Sequence, residues 1–154
     1  MIAIRRAGPV DLEILSPLYE AFFLEDAIAV ARDDLRGNLA AMLADARAAI
    51  WIALGEGGSP AGLSSATLTR GAEMGLTAEI EDLYVVPGFR GQGLSRRLLE
   101  TALAWAEAQG AREQFLVITP EAEAEQALTK LYARYGFRLS DRLAMIRSSE
   151  EPAP

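Results

Sequence analysis

The 154-residue chain contains no cysteine and no histidine. These two absences remove a thiol nucleophile, an acyl-enzyme on sulfur, a disulfide, an imidazole base and any zinc site of the usual ligands. Acid–base chemistry is left to Asp, Glu and Tyr, and no metal is expected. Lysine occurs once, at Lys130, so no Gly-Lys-Ser/Thr phosphate loop exists. Long apolar runs are also missing. The longest, Ala48 to Leu54, is strand-sized and far short of the ~20 residues a membrane span needs. Ile2 to Arg6 lacks the order of charge and apolar stretch that marks a signal peptide, which makes a cytoplasmic protein without membrane partners the expectation. Positive charge is scarce: 15 Lys and Arg stand against 22 Asp and Glu, for a net charge of −7. A nucleic-acid surface needs clustered Lys and Arg, so none is expected here. An acidic protein attracts cationic substrates such as amines instead, although net negative charge also serves plain solubility.

What the chain does contain is globular: hydrophobic residues make up 51% and charged residues 24%. The length suits one domain, expected over residues 1–147 with a loose tail at 148–154. Ile2 to Arg5 alternates as a first strand, and Pro9-Val10-Asp11 opens a helix with Leu12, Leu15, Leu18 and Tyr19 on one face. A second helix is expected from Asp33 to Ala46. Ala49–Leu54, Ala61–Thr69 and Leu76–Val86 read as a strand meander separated by Gly-rich turns. A long helix from Leu94 closes at Gly110, and Glu113–Ile118 reads as a strand parallel to the one before the helix. Thr119-Pro120 opens a further helix carrying Leu128, Leu131, Tyr132 and Tyr135, with closing strands over Phe137–Leu139 and Leu143–Ile146. The fold class is therefore α+β, a mixed central sheet of about six or seven strands flanked by about four helices.

The meander delivers the chain to Glu81-Asp82-Leu83-Tyr84-Val85-Val86-Pro87-Gly88-Phe89-Arg90-Gly91-Gln92-Gly93-Leu94-Ser95-Arg96. This is an apolar strand, a break, two glycines one residue apart and a helix start. The first amides of a helix have no partner within it and lie at the positive end of its dipole, which suits anionic oxygens. Gly91 and Gly93 remove Cβ atoms where backbone must approach a ligand, and Arg90, Arg96 and Arg97 add cationic charge. The same two glycines would also serve a plain tight turn. A dinucleotide fingerprint fits poorly, because Arg96 stands where its third glycine belongs.

Arg90-x-x-Gly93-x-Ser95 after Val85-Val86-Pro87 resembles the coenzyme A signature of the GNAT superfamily of N-acetyltransferases, with Ser95 where Gly or Ala is usual. The order of elements agrees with this resemblance across nearly the whole chain. It implies acetyl-coenzyme A as acyl donor, held by Leu83, Tyr84, Val85 and the run Arg90, Gly91, Gln92, Gly93, Leu94, Ser95 and Arg96. It also implies a bulge that splays the strand and frees amides near Leu83 and Val85 for the thioester. Leu131-Tyr132 to Gly136-Phe137 matches the end of the family's second motif, which implies Tyr132 as the acid for the leaving thiolate. The stretch from Val117 to Tyr132 is three or four residues longer than usual, and Glu125 stands where the family often has Asn. Homodimer formation is a further expectation from the family.

Glu79 and Glu81 lie two apart on a strand and project to one face, where either could take a proton from an amine. Amphipathic alternation with both facing solvent would give the same pattern. The resemblance to the polyamine-acetylating branch points to Glu81. Tyr132 could equally be a core aromatic at helical spacing. Phe23, Glu25 and Asp26 form a candidate lip of the acceptor pocket, or a helix end with solvated carboxylates. The expected activity is direct acetyl transfer from acetyl-coenzyme A to a primary amine of a small cationic molecule, polyamine-, amino-acid- or aminoglycoside-like, in a ternary complex. The alternatives are acetylation of a protein or peptide, and a non-catalytic acyl-coenzyme A sensor.

Overall fold

In the computed structural model, which describes residues 1–150, the chain groups into two compact units, Met1–Val117 and the segment from Ile118 onward. The first is built on five strands in sequential order: β1 (Ala3–Arg6), β2 (Ala48–Leu54), β3 (Pro60–Gly71), β4 (Gly75–Val85) and β5 (Glu113–Phe115). The first three pairings are antiparallel and β4–β5 is parallel, so the sheet is mixed, as the short turns before β4 and the helix after it require.

Helices α1 (Leu12–Glu25) and α2 (Arg32–Ala44) cover one face of the sheet. Leu15, Leu18, Tyr19, Phe22, Leu35 and Leu39 pack there on Ile50, Ile52, Leu63 and Tyr84. Helix α3 (Leu94–Ala108) covers the other face, where Leu94 and Leu98 meet Ala53, Ala61 and Val85, and Trp105 meets Trp51 edge-on at 5.5 Å. The neighbours Trp51 and Ile52 thus serve opposite layers, as the strand pleat dictates. Gly62 permits the close approach of β3 to β4, since a Cβ there would stand 2.6 Å from the Tyr84 carbonyl oxygen. The start of α1 is fixed by Asp11, whose buried carboxylate accepts from the Gly8 amide at 2.8 Å and from both terminal nitrogens of Arg5 at 2.7 and 2.9 Å. That pairing holds its pKa below the usual carboxylate range.

The second unit holds two short helices, α4 (Pro120–Gln126) and α5 (Leu128–Ala133), rather than the one helix expected. Thr119 caps α4 by accepting from the Ala122 amide at 3.2 Å. Ala127 then takes a left-handed conformation with φ 49°, and the Glu123 carboxylate accepts from the Thr129 amide at 2.8 Å, so a side chain ends one helix and starts the next. The closing strands expected over 137–139 and 143–146 do not form, which leaves five strands among the described residues. Period-two alternation says which side chains would share a face, but a strand also needs a ladder partner, and here Leu139, Leu143, Met145 and Ile146 are exposed. Of the expected tail, residues 148–150 are exposed and 151–154 lie outside the described residues.

Candidate active site

The decisive irregularity lies in β4. Ser65 on β3 faces Asp82, yet the next residue, Ala66, faces Ile80, so Glu81 is an extra residue in the ladder. Its effect is visible in the side chains. Ala78 packs on Ala106 of α3, whereas Tyr84, an even number of residues later, packs on the α1–α2 face. Glu79, Glu81 and Asp82 are consequently gathered on the α1–α2 face. Glu81 accepts from the Thr67 hydroxyl at 2.5 Å, and Asp82 accepts from the Ser65 hydroxyl at 2.5 Å and the Tyr19 hydroxyl at 2.9 Å. Burial, and then the charges of Glu81 and Asp82, raise the pKa of Glu79. Burial also raises that of Asp82, against its two hydroxyl donors, and pushes the Tyr19 phenol far up.

The bulge also redirects the backbone. The Leu76 carbonyl accepts from the amide of Arg112, the residue before β5, so even-numbered residues there address the β5 edge. At the far end the Val86 amide donates to Ala61 on β3 at 2.9 Å, so Val86 and Tyr84 address β3, while Leu83 and Val85 address the opposite edge. Parallel pairing with β5 stops at Glu79–Phe115, six residues before β4 ends at Val85. No strand among the described residues covers the edge from Ile80 to Val85. The amides of Leu83 and Val85 thus point off an open sheet edge. The Val85 carbonyl on that edge is taken by Arg90 Nε at 2.9 Å, so what remains at Val85 is a donor. Tyr84 has its ring stacked on Phe22 at 5.1 Å on the α1 side, and its amide addresses β3.

The turn after β4 leads straight into α3. Gly91 and Gly93 have φ of 77° and 75°, values that side chains with a Cβ resist, and a Cβ at either would meet nothing within 4 Å. Space is therefore open in front of both. The α3 ladder begins with the Arg97 amide bonding the Gly93 carbonyl at 3.2 Å, so the amides of Leu94 and Ser95 have no carbonyl one turn behind them. Gln92, Gly93 and Ser95 are exposed, while the Leu94 side chain is buried under the sheet and holds the turn down. Converging amides with clear space ahead fit the diphosphate of coenzyme A. The three arginines beside the loop each have a partner within the chain. Arg90 is paired with Glu25 at 2.7 Å and lies 5.8 Å over the Tyr84 ring, Arg96 reaches Glu100 at 2.7 Å, and Arg97 donates to the Ile2 carbonyl at 2.9 Å. The loop offers an anion its main-chain amides, with Arg90 and Arg96 beside them in exposed ion pairs.

Of the candidate acceptor lip, Glu25 is the partner of Arg90, Phe23 packs edge-on against Phe22 at 5.2 Å and Tyr19 at 5.6 Å, and Asp26 is exposed at the end of α1. Phe23 also lines a cavity with Glu20, Leu24, Ile28, Val30 and Leu35. In the second unit, Tyr132 is half-buried on α5, edge-on to Phe137 at 5.7 Å, and burial raises its pKa. Sequence reasoning missed Asp82, Tyr19, Ser65 and Thr67 as parts of the site. Regular alternation sends Asp82 to the face opposite Glu81, and only the extra residue brings the two together.

Residues 12–137 match the acetyltransferase (GNAT) family. The chain belongs to that family. It is 30% identical over 154 residues to an aminoglycoside N(6')-acetyltransferase type 1 of Stenotrophomonas maltophilia, covering 97% of this chain and 95% of that one. Among solved structures, it resembles an integron cassette protein from the mobile metagenome of Cole Harbour Salt Marsh at 28% identity and a TM-score of 0.79, over 97% of this chain and 91% of the other. The fold is shared with the aminoglycoside N-acetyltransferase AAC(6')-Iy in complex with coenzyme A, at 22% identity and a TM-score of 0.79, over 97% and 95% of the two chains. This GNAT protein is thus an acyltransferase, an acetyl-coenzyme A-dependent N-acetyltransferase, and among the described residues no group of potential metal ligands is assembled.

Proposed function

We propose that this acetyltransferase acts on a primary amine of a small polycationic molecule, of aminoglycoside or polyamine type. The observation that carries the reading is the collection of Glu79, Glu81 and Asp82 on one face of β4, beside an open edge that presents the Leu83 and Val85 amides. The carboxylates of Glu79 and Glu81 suit a substrate with several ammonium groups, while that of Asp82 is committed to Ser65 and Tyr19. The relative from Stenotrophomonas maltophilia, an aminoglycoside acetyltransferase by name, supports the same class.

Acetyl-coenzyme A, when bound, supplies the acetyl group as an activated thioester. The main-chain amides from Gly91 to Ser95 hold its diphosphate. A lysine-like amine has a pKa near 10.4, so only about four molecules in ten thousand are neutral at pH 7 and a base is needed. Glu81, oriented by Thr67, takes that proton directly or through one water, with Glu79 as the neighbouring carboxylate. The Leu83 and Val85 amides donate to the carbonyl oxygen as the amine nitrogen bonds to the acyl carbon. Tyr132 donates its proton to sulfur as the carbon–sulfur bond breaks. A phenol with its pKa raised stays protonated at pH 7, which keeps it an acid.

The test is coenzyme A release from acetyl-coenzyme A with a panel of aminoglycosides, polyamines, amino acids and amine-bearing peptides. Turnover with aminoglycosides or polyamines and not with peptides is expected. Turnover with peptides alone, or binding of acetyl-coenzyme A without release for any amine, overturns the reading.

A further inference from the structure

We propose that Asp82 is the positioning residue of this acetyltransferase: by tying the β4 bulge to Ser65 and Tyr19, it aims the Leu83 and Val85 amides off the open edge of the sheet. An extra residue in a ladder is a weak point, because a slip of one position would send every following side chain to the other face and every following amide to the other edge. Here the slip is blocked on both sides of the extra residue. On one side, the Glu81 carboxylate is bonded to the Thr67 hydroxyl, and Thr67 is paired with Glu79. On the other, Asp82 is paired with Ser65 and bonded to its hydroxyl, so the first register position after the bulge is joined by side chain as well as backbone.

Asp82 alone carries a third tie. The same Oδ2 that accepts from Ser65 accepts from the Tyr19 hydroxyl, 63 residues earlier in the chain. Tyr19 is itself packed into the core: it is 2% exposed and its ring lies among those of Phe22 and Phe23. The bulge is therefore referenced to α1 as well as to β3. Leu83 follows Asp82 directly, and its amide direction is set by the peptide unit that Asp82 fixes. Since Oδ2 acts purely as an acceptor, the role requires an oxygen at that point and not a negative charge. This separates Asp82 from Glu81, whose proposed work as a base does require the charge.

The test compares Asp82→Ala, Asp82→Asn and Tyr19→Phe, with kinetics on the best amine of the panel and backbone amide chemical shifts measured by NMR. Only the kinetic arm rests on the acceptor reading above. Asp82→Ala is expected to lower kcat at least about tenfold while KM for acetyl-coenzyme A stays within about twofold. It should also move the Leu83 and Val85 amide shifts but not those of Gly93 and Leu94. Asp82→Asn, which keeps an acceptor oxygen, should recover most of the lost kcat and return the shifts toward wild type. Tyr19→Phe deletes one of the two bonds and should move both readouts in the direction of Asp82→Ala, which serves if that variant folds poorly. An Asn variant as impaired as the Ala variant would assign Asp82 a charge-based role and overturn the proposal. Unmoved Leu83 and Val85 shifts in Asp82→Ala and Tyr19→Phe would overturn it too. If no amine supports turnover by the wild type, the acceptor reading fails while the shifts still decide this inference.

Discussion

Ala78 and Tyr84 stand an even number of residues apart on one strand and yet point to opposite sides of the sheet. That contradiction of strand geometry is the imprint of the extra residue at Glu81. It gathers the carboxylates of the site on one face and turns two amides toward an open edge.

The loop at the start of α3 is the simplest part of this arrangement to break. Gly93→Val places a branched side chain at φ 75° and in the open space in front of the helix amides. Acetyl-coenzyme A binding, followed by calorimetry, is expected to be lost, with Tm lowered by only a few degrees. Wild-type affinity would show that the diphosphate is held elsewhere.

The two glutamates are separable by charge removal. Glu81→Gln should lower kcat by about a hundredfold, in the range typical of a lost general base, while leaving acetyl-coenzyme A affinity unchanged. Glu79→Gln should act mainly on KM for the amine. Single-turnover rates for both variants check the assignment, and equal kcat for Glu81→Gln and wild type removes Glu81 from the chemistry.

Tyr132→Phe deletes only the phenolic hydroxyl. Turnover should fall by about tenfold or more, with little change in coenzyme A binding, because the proton for the leaving sulfur must then come from water. An unchanged rate would leave Tyr132 as the aromatic partner of Phe137 that its 5.7 Å edge-on contact already makes it.

Stability at low pH should report on Asp11. Its folded-state pKa is depressed, first by the Arg5 hydrogen bonds. A depressed carboxylate contributes stability that is complete above its unfolded pKa, near 3.9, and is lost as pH falls through the lower folded value. Denaturant melts of Asp11→Asn should therefore show a deficit against wild type at pH 7 that shrinks below about pH 4. A deficit independent of pH would mean that the carboxylate's charge is irrelevant to the start of α1.

Much of this protein was readable along the chain because the features involved are local. The glycine turn at 91 and 93, the helix that follows it, the strand before it and the strand over Ile50, Trp51 and Ile52 are each fixed by a few consecutive residues. The absence of cysteine and histidine leaves the acid–base chemistry to Asp, Glu and Tyr whatever the fold. Other features depended on partners distant in sequence. The destination of Arg90 at Glu25, the break of one expected helix at Ala127 and the missing strand pairing after residue 137 were set by which groups lay within reach once folded. The bulge belongs to this second kind. A register is a relation between two strands, and no pattern within β4 alone records that Ser65 meets Asp82 while Ala66 meets Ile80. The sequence by itself therefore determined the strands and helices up to Phe115 and the glycine turn between them, because these are local patterns, whereas only the tertiary structure decided the elements after it and which carboxylates and which amides lie together.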